Sequence, residues 1–162
     1  MTGVQTCALP ICPPARGRRP KKAGEQALGR SRGGLSTKIH ALVEGLGNLA
    51  RWEVTGGQVH DVTQAPTLLS GVSPQAVIAD KAFDSDALIH LIVEGGSAAV
   101  IPPKSNRRVQ RDFDRQQYKH RNLIERFFCR LKQFRRIATR YDKLASRFSS
   151  FIALAAACIW LA

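Results

Sequence analysis

The order of short apolar runs and turns after residue 34 constrains the fold more than any other feature. Residues 35–43 alternate between two faces with a period of two, one drier than the other, which predicts a β-strand. The turn residues 44–48 and the extended run 49–55 predict the returning strand of a hairpin. Residues 75–79 and 98–101 are short apolar runs, which are typical of buried strands.

Helical patterns alternate with these strands. Residues 61–69 and 85–94 predict two short helices. Residues 118–137 carry apolar side chains at i, i+3 and i+4 spacing, which predicts a long helix with one buried side. A last helix over 144–161 becomes nearly all apolar, which predicts that it is buried. The order of hairpin, helix, strand, helix, strand and long helix predicts an α/β layer with a mixed sheet.

One face of the predicted long helix carries a carboxylate between two cations and a phenol. The residues are Tyr118, Arg121, Glu125 and Lys132. At about 100° per residue, Tyr118 lies near +20°, Arg121 near −40° and Lys132 near −20° from Glu125, so all four share a face roughly 60° wide. Such a set suits a carboxylate that holds a metal ion while its neighbours bind phosphate. An i,i+4 ion pair between Arg121 and Glu125 and a surface lysine are the alternatives.

A second carboxylate, Asp80, follows the predicted strand 75–79. A strand-end aspartate and a helical glutamate can provide hard oxygen ligands for Mg²⁺, and two metal ions held by carboxylates support phosphodiester chemistry. Structural caps and ion pairs are the competing explanation for such residues. Taken alone, Asp80 and Glu125 leave both possibilities open.

The charge distribution points to a polyanionic partner. The net charge of the 162 residues is +13, and residues 104–147 alone carry fifteen basic and four acidic residues. Residues 44–103 carry two basic and seven acidic residues. A basic segment next to an acidic one is expected of a protein that binds nucleic acid around a metal-binding centre, and a solvated basic surface is the alternative.

Several motifs together resemble one protein family. The segment Ile78-Ala-Asp80-Lys-Ala-Phe83 and the Y-R-E-K spacing of Tyr118, Arg121, Glu125 and Lys132 resemble the second and third acidic blocks of DDE transposases from bacterial insertion sequences, in families four and five. The sequences GRSRGG at 29–34, GQVHD at 57–61 and IPPKSN at 101–106 are also similar to that group. The resemblance extends from about residue 21 to the C-terminus.

The resemblance implies a ribonuclease-H-like fold and Mg²⁺-dependent cleavage and joining of DNA strands. Asp80 and Glu125 are then the second and third metal ligands. Arg121 and Lys132 are expected to bind DNA phosphates near the cut, and Tyr118 to position the strand. The basic loop 104–117 provides three further candidates for DNA contact, which are Lys104, Arg107 and Arg108.

The first catalytic aspartate of the family is not present in this sequence. Family members carry it on the strand before the hairpin, whereas the first aspartate here is Asp61, beyond the hairpin. The sequence Asp61-Val-Thr-Gln64 resembles an acidic capping box, so N-capping of a helix is the favoured explanation for Asp61 and metal binding the alternative. We therefore expect a sheet that lacks its first strand and a site that is inactive without one of three carboxylates.

The N-terminal segment differs in character from the rest. Residues 1–11, MTGVQTCALPI, resemble the translation of a sequencing-adapter oligonucleotide, with a genuine disordered leader as the alternative. We expect 1–34 to be an artefactual leader and a flexible basic arm, and 35–162 to be a truncated catalytic domain, cut off upstream of Cys12.

The four cysteines form no paired metal-binding motif. Cys129 and Cys158 fall in apolar helical runs and are expected to pack as small hydrophobic residues in a reducing, cytoplasmic setting. The apolar run 151–162 is shorter than the roughly 20 residues that span a bilayer, so no membrane partner is expected.

The resemblance thus implies a DNA transposition protein that acts on transposon terminal repeats in the bacterial cytoplasm, at the nucleoid. It also implies that the full-length protein is a homo-oligomer on DNA. The alternative is a non-catalytic DNA-binding remnant, or an inhibitor of intact transposase. Metal-dependent nicking separates the two, because the basic charge predicts DNA binding in both cases. An RNA-binding module is a third possibility, although the sequence lacks the aromatic strand motif of such modules.

Overall fold

A computed structural model describes residues 2–10, 25–31 and 34–161, with the backbone alone for 2–10 and 31. The strands are β1 (Thr2–Pro10), β2 (Gly29–Ser31), β3 (Gly34–Val43), β4 (Leu49–Gly56), β5 (Ala76–Ala79) and β6 (Ala98–Val100). The α-helices are α1 (Ala65–Leu69), α2 (Asp86–Glu94), α3 (Arg115–Tyr118), α4 (Asn122–Leu131), α5 (Arg135–Ala138) and α6 (Ala145–Leu161). Short 3₁₀ turns span Asp61–Thr63, Lys81–Phe83 and Lys119–Arg121.

The strands form one mixed sheet. Its order is β2-β3-β1-β5-β6, and β4 pairs with β3. Strands β1, β5 and β6 are parallel, with Val4 beside Ala79 and Ala76 beside Ala98. Strand β2 runs antiparallel to β3. The predicted α/β class, with a ribonuclease-H-like mixed sheet flanked by helices, is confirmed.

The expected gap in the sheet is filled. We expected the first strand to be missing, but β1 lies between β3 and β5, where that strand would pair. Strands pair through backbone groups, and an unpaired strand edge leaves hydrogen-bonding groups without partners, so an extended segment can occupy the position whatever its side chains. The sequence of β1 contains no acidic residue, so the strand is present without the family's first carboxylate.

The predicted basic arm is only partly described. Its residues 13–24 and 32–33 lie outside the described part of the chain. The expectation of a flexible arm through residue 34 is wrong at its end, because β2 pairs with β3, with Gly29 opposite Ser36. Gly29 is closely surrounded, since a Cβ at this position would collide with the side chain of Gln58.

The predicted hairpin is confirmed by β3 and β4. Its turn is closed by Glu44, whose carboxylate accepts hydrogen bonds from the backbone N–H of Leu46 at 3.0 Å and of Asn48 at 3.1 Å. Gly47 has φ +94°, a left-handed conformation in which glycine avoids steric strain. Turn residues and alternation are local signals, which is why the sequence sufficed here.

The capping prediction for Asp61 is wrong. The segment forms a 3₁₀ turn with His60 at its N-cap and then a separate helix α1 with Gln64 at its N-cap, and neither of these side chains caps its helix with a hydrogen bond. The backbone carbonyl of Asp61 accepts instead from the N–H of Gln64 at 3.2 Å. A Pro at the start of α1 provides a preset φ angle, so the helix begins without an aspartate cap.

The single long helix predicted over 118–137 is also wrong. Helical structure begins earlier, because Asp114 accepts hydrogen bonds from the N–H of Gln116 and Gln117 and so caps α3. A 3₁₀ turn joins α3 to α4, and the chain then turns before α5. Phe134 has extended backbone angles and 37% exposure, so it does not continue the buried stripe.

Helix α6 confirms the last predicted helix but not its full burial. Phe148, Ile152 and Ile159 are buried, whereas Leu154 and Trp160 are largely exposed. The apolar residues of α6 surround the helix, and only one side of it is covered. Cys129 and Cys158 are also exposed, so their predicted packing as core residues is wrong. No helix within the described residues is long and apolar enough to cross a membrane.

The chain forms two compact units. The first includes residues 40–53 and 60–127, and the second includes 54–59 and the described residues from 128 onward. In the first unit, β5 is buried on both faces. Val77 and Ala79 pack with residues of α1 and α2, including Leu68 and Leu88. Strand β5 is therefore a fixed central element of this unit.

Candidate metal and nucleic-acid site

The second face of β5 positions the first candidate residue and its neighbours. Ala76 and Ile78 form a small apolar cluster with Val100 of β6, and Phe113 and Tyr118 pack against it. Successive side chains of a strand point to opposite faces, so this cluster lies opposite the one that contains Val77 and Ala79. Asp80, predicted to follow a buried strand, does so.

Asp80 is held by a short local hydrogen bond. Its side chain caps the 3₁₀ turn Lys81–Phe83, where Oδ1 accepts from the backbone N–H of Ala82 at 2.6 Å. Within the described part of the chain this is the hydrogen bond that the carboxylate makes, so one oxygen is fixed and the other stays available. The cap and a ligand role are therefore compatible in Asp80.

Tyr118 is the last residue of α3 and contacts one aromatic and one cationic side chain. Its ring lies edge-on to Phe113, with 5.5 Å between ring centroids. The guanidinium carbon of Arg121 is 5.6 Å from the Tyr118 ring centroid, within the range of a cation–π contact. These contacts fix the phenol on the face predicted for the stripe, although helix α3 ends at Tyr118.

Arg121 and Glu125 form the ion pair that was one of the two open explanations. Arg121 Nη2 lies 2.7 Å from Glu125 Oε1, with side-chain exposures of 29% and 45%. An exposed i,i+4 pair of this kind contributes little to stability. Its geometry nevertheless keeps a carboxylate and a guanidinium together on the side of the helix that carries Tyr118.

The phenol of Tyr118 is within electrostatic range of both candidate carboxylates. Burial raises the pKa of Tyr118, and the negative charges of Asp80 and Glu125 raise it further, while the nearby Arg121 cation opposes the change. A phenol resists ionisation next to carboxylates because its anion would repel them. The charges of Asp80 and Glu125 therefore both act on the pKa of this one phenol.

Lys132 is not part of the same helix. It follows the end of α4, where its backbone N–H donates to the carbonyl of Phe128 at 3.0 Å, and it belongs to the second unit. Its side chain is exposed. The described contacts bring together Tyr118, Arg121 and Glu125, and the phosphate contact expected for Lys132 stays a prediction.

The sequence reading missed a buried carboxylate close to Asp80. Asp84 has a fully buried side chain that accepts from the N–H of Lys104 at 2.8 Å and from Arg107 Nε at 2.5 Å. Arg111 Nη2 also pairs with it. Burial alone would raise the pKa of Asp84, but the hydrogen bonds and positive charges outweigh this and hold the pKa below its ordinary value.

Asp86 completes what we call the Asp84 cluster, which consists of Asp84, Asp86, Arg107 and Arg111. Asp86 Oδ1 lies 2.8 Å from Arg107 Nη1 and 2.9 Å from Arg111 Nη1, and its side chain is 79% exposed. The signal in the sequence was the pair of arginines four residues apart. A buried carboxylate requires such partners, although the sequence did not reveal which carboxylate they serve.

The three basic loop residues proposed for DNA contact differ in their surroundings. Arg107 is directed to Asp84 and Asp86, with a side-chain exposure of 23%. Lys104 donates two hydrogen bonds to Asp84. Its backbone N–H donates to the carboxylate, and its Nζ donates to the backbone carbonyl at 3.1 Å. Arg108 is exposed and pairs with no carboxylate within the described chain. Their contacts with DNA stay predictions.

The donor set fits part of a divalent-metal site. Asp80 and Glu125 are the hard oxygen ligands that Mg²⁺ and similar ions prefer. Among the described residues, no group of three or more His, Cys, Asp or Glu side chains is close enough to hold a metal ion. The pairing of Asp80 with Glu125 as metal ligands stays a prediction.

The mixed sheet is of the ribonuclease-H-like class, with Asp80 directly after β5 and Glu125 on α4. A family model described as Transposase DDE domain matches residues 8–161. The chain is 41% identical over 129 residues to a putative transposase for insertion sequence element IS6501 from Brucella ovis, which covers 78% of this chain and 99% of that protein. The chain belongs to the DDE transposase family, whose function is DNA transposition and whose members bind DNA and use divalent metal ions.

Proposed function

We propose that Asp80 and Glu125 are two of the three metal ligands of a transposase site that acts on the terminal repeats of its element. The observation that supports this most is the position of Tyr118. Its phenol packs against β5 and β6, lies under Arg121 and is electrostatically affected by both carboxylates. Two carboxylates on separate elements whose charges act on the pKa of one phenol support a shared site rather than isolated surface charges.

Each residue has a role that its chemistry supports. Asp80 presents its free carboxylate oxygen, and Glu125 presents the oxygen that is not paired with Arg121. Bound Mg²⁺ ions would activate a water or a 3′-hydroxyl and stabilise the leaving oxygen. Arg121 can exchange its pairing from Glu125 to a DNA phosphate, since Arg binds both carboxylate and phosphate in a planar geometry.

The remaining candidates bind DNA without taking part in the reaction. Lys132, Lys104 and Arg108 carry exposed positive charge that suits phosphate groups along the DNA. Tyr118 positions the strand next to the two carboxylates. A homo-oligomer assembled on the paired ends, in the bacterial nucleoid, is the arrangement in which we propose that the complete site works.

Two of the three carboxylates of the proposed site are found in this sequence. No aspartate precedes Asp61 in the sequence, and β1 contains no acidic residue. We propose that the segment 1–34 does not contribute to catalysis and that residues 35–162 form a catalytic domain with two of three ligands. Two-metal catalysis depends on carboxylates that fix both ions, so this chain should bind DNA without cutting it.

Nicking of terminal-repeat DNA tests the assignment. The reading frame is extended upstream so that a strand with Asp-Gly-Thr or Asp-Ser-Thr precedes the hairpin, and this protein is expected to nick with Mg²⁺. Glu125→Gln should abolish nicking, by at least about a hundredfold, because a metal ligand is lost. Glu94→Gln is the matched control, since Glu94 is an exposed glutamate in an i,i+4 pair with His90. Nicking that survives in Glu125→Gln would overturn the role of Glu125.

The second candidate is a non-catalytic DNA-binding protein that occupies transposon ends or inhibits intact transposase. The lack of a first carboxylate favours it for the chain as printed. It predicts that the chain binds terminal repeats and lowers nicking by an active transposase in the same reaction. DNA nicking by the printed chain itself would exclude this alternative.

A further inference from the structure

The most specific set of polar contacts in the first unit surrounds Asp84, which the proposed catalytic roles do not use. Three donors from the loop 104–111 converge on its buried carboxylate, and they are Lys104 N, Arg107 Nε and Arg111 Nη2. Burying a charge is costly unless it is paired and hydrogen-bonded. Among the described residues, the hydrogen bonds to this carboxylate all come from that one loop. The carboxylate therefore determines where the loop lies.

Asp84 is also linked directly to the turn that carries Asp80. The 3₁₀ turn Lys81–Phe83 has Asp80 at its N-cap and Asp84 at its C-cap. The backbone N–H of Asp84 donates to the carbonyl of Lys81 at 3.2 Å. One turn thus presents a candidate metal ligand at its first end and anchors the basic loop at its other end.

The contacts distinguish the cations of the loop. Arg107 and Arg111 are paired with the two carboxylates of the Asp84 cluster, and Lys104 Nζ donates to the carbonyl of Asp84. Arg108 lies between the two paired arginines in sequence, is exposed, and pairs with no carboxylate among the described residues. Arg108 is therefore the arginine of this loop that is available to a phosphate.

We propose that Asp84 is a positioning residue for DNA, which fixes the loop 104–111 so that Arg108 binds a phosphate near Asp80. Arg107 and Arg111 hold the loop in this position. This inference rests on the proposed DNA-binding function. It assigns to Asp84 a part in binding that follows from its position between the candidate ligand and the loop.

The proposal is tested by measuring how the full chain binds a fluorescently labelled DNA duplex over a range of salt concentrations. Arg108→Ala should weaken binding and lower the slope of log Kd against log salt by about one, the effect of one lost phosphate contact. Asp84→Asn should have a similar effect. In the double variant Asp84→Asn/Arg108→Ala, the loss of affinity should be no larger than in Asp84→Asn alone, because the loop is already displaced.

The matched control is Asp86→Asn. Asp86 contacts the same two arginines but is exposed, so its substitution should leave the affinity and the salt slope nearly unchanged. Hydrogen exchange provides an independent measurement without DNA. The amide of Lys104, which donates to Asp84, should exchange at least about tenfold faster in Asp84→Asn than in the unmodified chain or in Asp86→Asn.

The possible results are distinct. The proposal would be overturned if Asp84→Asn binds DNA with unchanged affinity. It would also be overturned if the losses of affinity from Asp84→Asn and Arg108→Ala add in full, and in both cases DNA binding itself would stand. A chain that does not bind DNA at all would overturn both this inference and the proposed function. If Asp84→Asn does not fold, Arg111→Gln takes its place in the same cycle, with the same coupling to Arg108 expected and full additivity again contradicting the proposal.

Discussion

Two buried charged groups, one in each unit, are accommodated in different ways. In the first unit the carboxylate of Asp84 is surrounded by full positive charges from Arg107 and Arg111. In the second unit the guanidinium of Arg140 is completely buried and has no carboxylate within its hydrogen bonds. The charge of Asp84 is thus balanced by opposite charges, whereas the charge of Arg140 is solvated by dipoles.

Arg140 satisfies all five of its N–H donors. The acceptors are the carbonyls of Gln26, Ala27, Asp142 and Lys143 and the hydroxyl of Thr37, at distances from 2.5 to 3.3 Å. Its guanidinium carbon also lies 4.9 Å from the centroid of the Phe148 ring. Burial lowers the pKa of Arg140, a change that the Asp142 charge opposes, and a guanidinium stays protonated nonetheless.

The difference indicates what each group does. Arg140 connects residues 26–27 with β3 and with the segment before α6, three parts of the second unit that are distant in sequence. Its role is to hold the unit together. The Asp84 cluster instead joins one turn to one basic loop, so its strength can respond to pH and to competing phosphate.

The largest expected effect is that of Arg140→Ala. The substitution leaves one hydroxyl and four carbonyls without their shared donor in a buried place, which should lower the free energy of unfolding by about 3–5 kcal/mol. Arg140→Lys is the matched control, because its three donors can satisfy only part of the acceptors and its loss should be smaller. Urea unfolding of the chain measures both. A loss below about 1 kcal/mol for Arg140→Ala would mean that Arg140 does not hold the second unit together.

Asp84→Asn should have the next largest effect on stability. The amide keeps the shape of the side chain but removes the charge that balances two arginines, which should cost about 2–3 kcal/mol in urea unfolding. Asp86→Asn, with the same arginine partners but an exposed side chain, should change stability little. Equal effects of the two substitutions would mean that burial does not determine the strength of the cluster.

The smallest effect is a difference in pH dependence. The pKa of Asp84 is lowered in the folded chain, so its contribution to stability is complete above its ordinary value of 3.8 and is lost as the pH falls through the lowered folded value. Thermal unfolding of the unmodified chain should therefore show a steeper loss of stability below about pH 4 than that of Asp84→Asn. Arg140→Lys should retain the steeper dependence, because that cation does not titrate in this range. Parallel pH curves for Asp84→Asn and the unmodified chain would contradict the account.

The sequence predicted what depends on neighbouring residues. Strands β3 and β4 follow from alternation and turn chemistry, and the shared face of Tyr118, Arg121 and Glu125 follows from helical geometry. The break of the predicted long helix did not follow, because the spacing of Phe134 fits the apolar stripe although its side chain is not buried. Periodicity indicates a possible face, and only packing decides whether that face is used.

The partners of the two buried charges could not be predicted from sequence patterns. Arg107 pairs with Asp84 across 23 residues, and Arg140 contacts Thr37 across 103 residues. An arginine in a basic segment resembles any other until its acceptors are known. The same reason explains why Arg107 was grouped with Arg108 as a DNA contact, whereas the structure shows different surroundings for the two.

Metal-directed cleavage of the protein backbone tests whether Asp80 and Glu125 belong to one metal site. Fe²⁺ can replace Mg²⁺ at oxygen ligands, and with ascorbate and peroxide it cuts the chain next to where it binds. If they do, the chain should be cut near residue 80 and near residue 125 together. Both cuts should be lost in Asp80→Asn and in Glu125→Gln, and both should be retained in Glu94→Gln. Cuts near only one of the two residues, or cuts that survive both substitutions, would contradict a shared site.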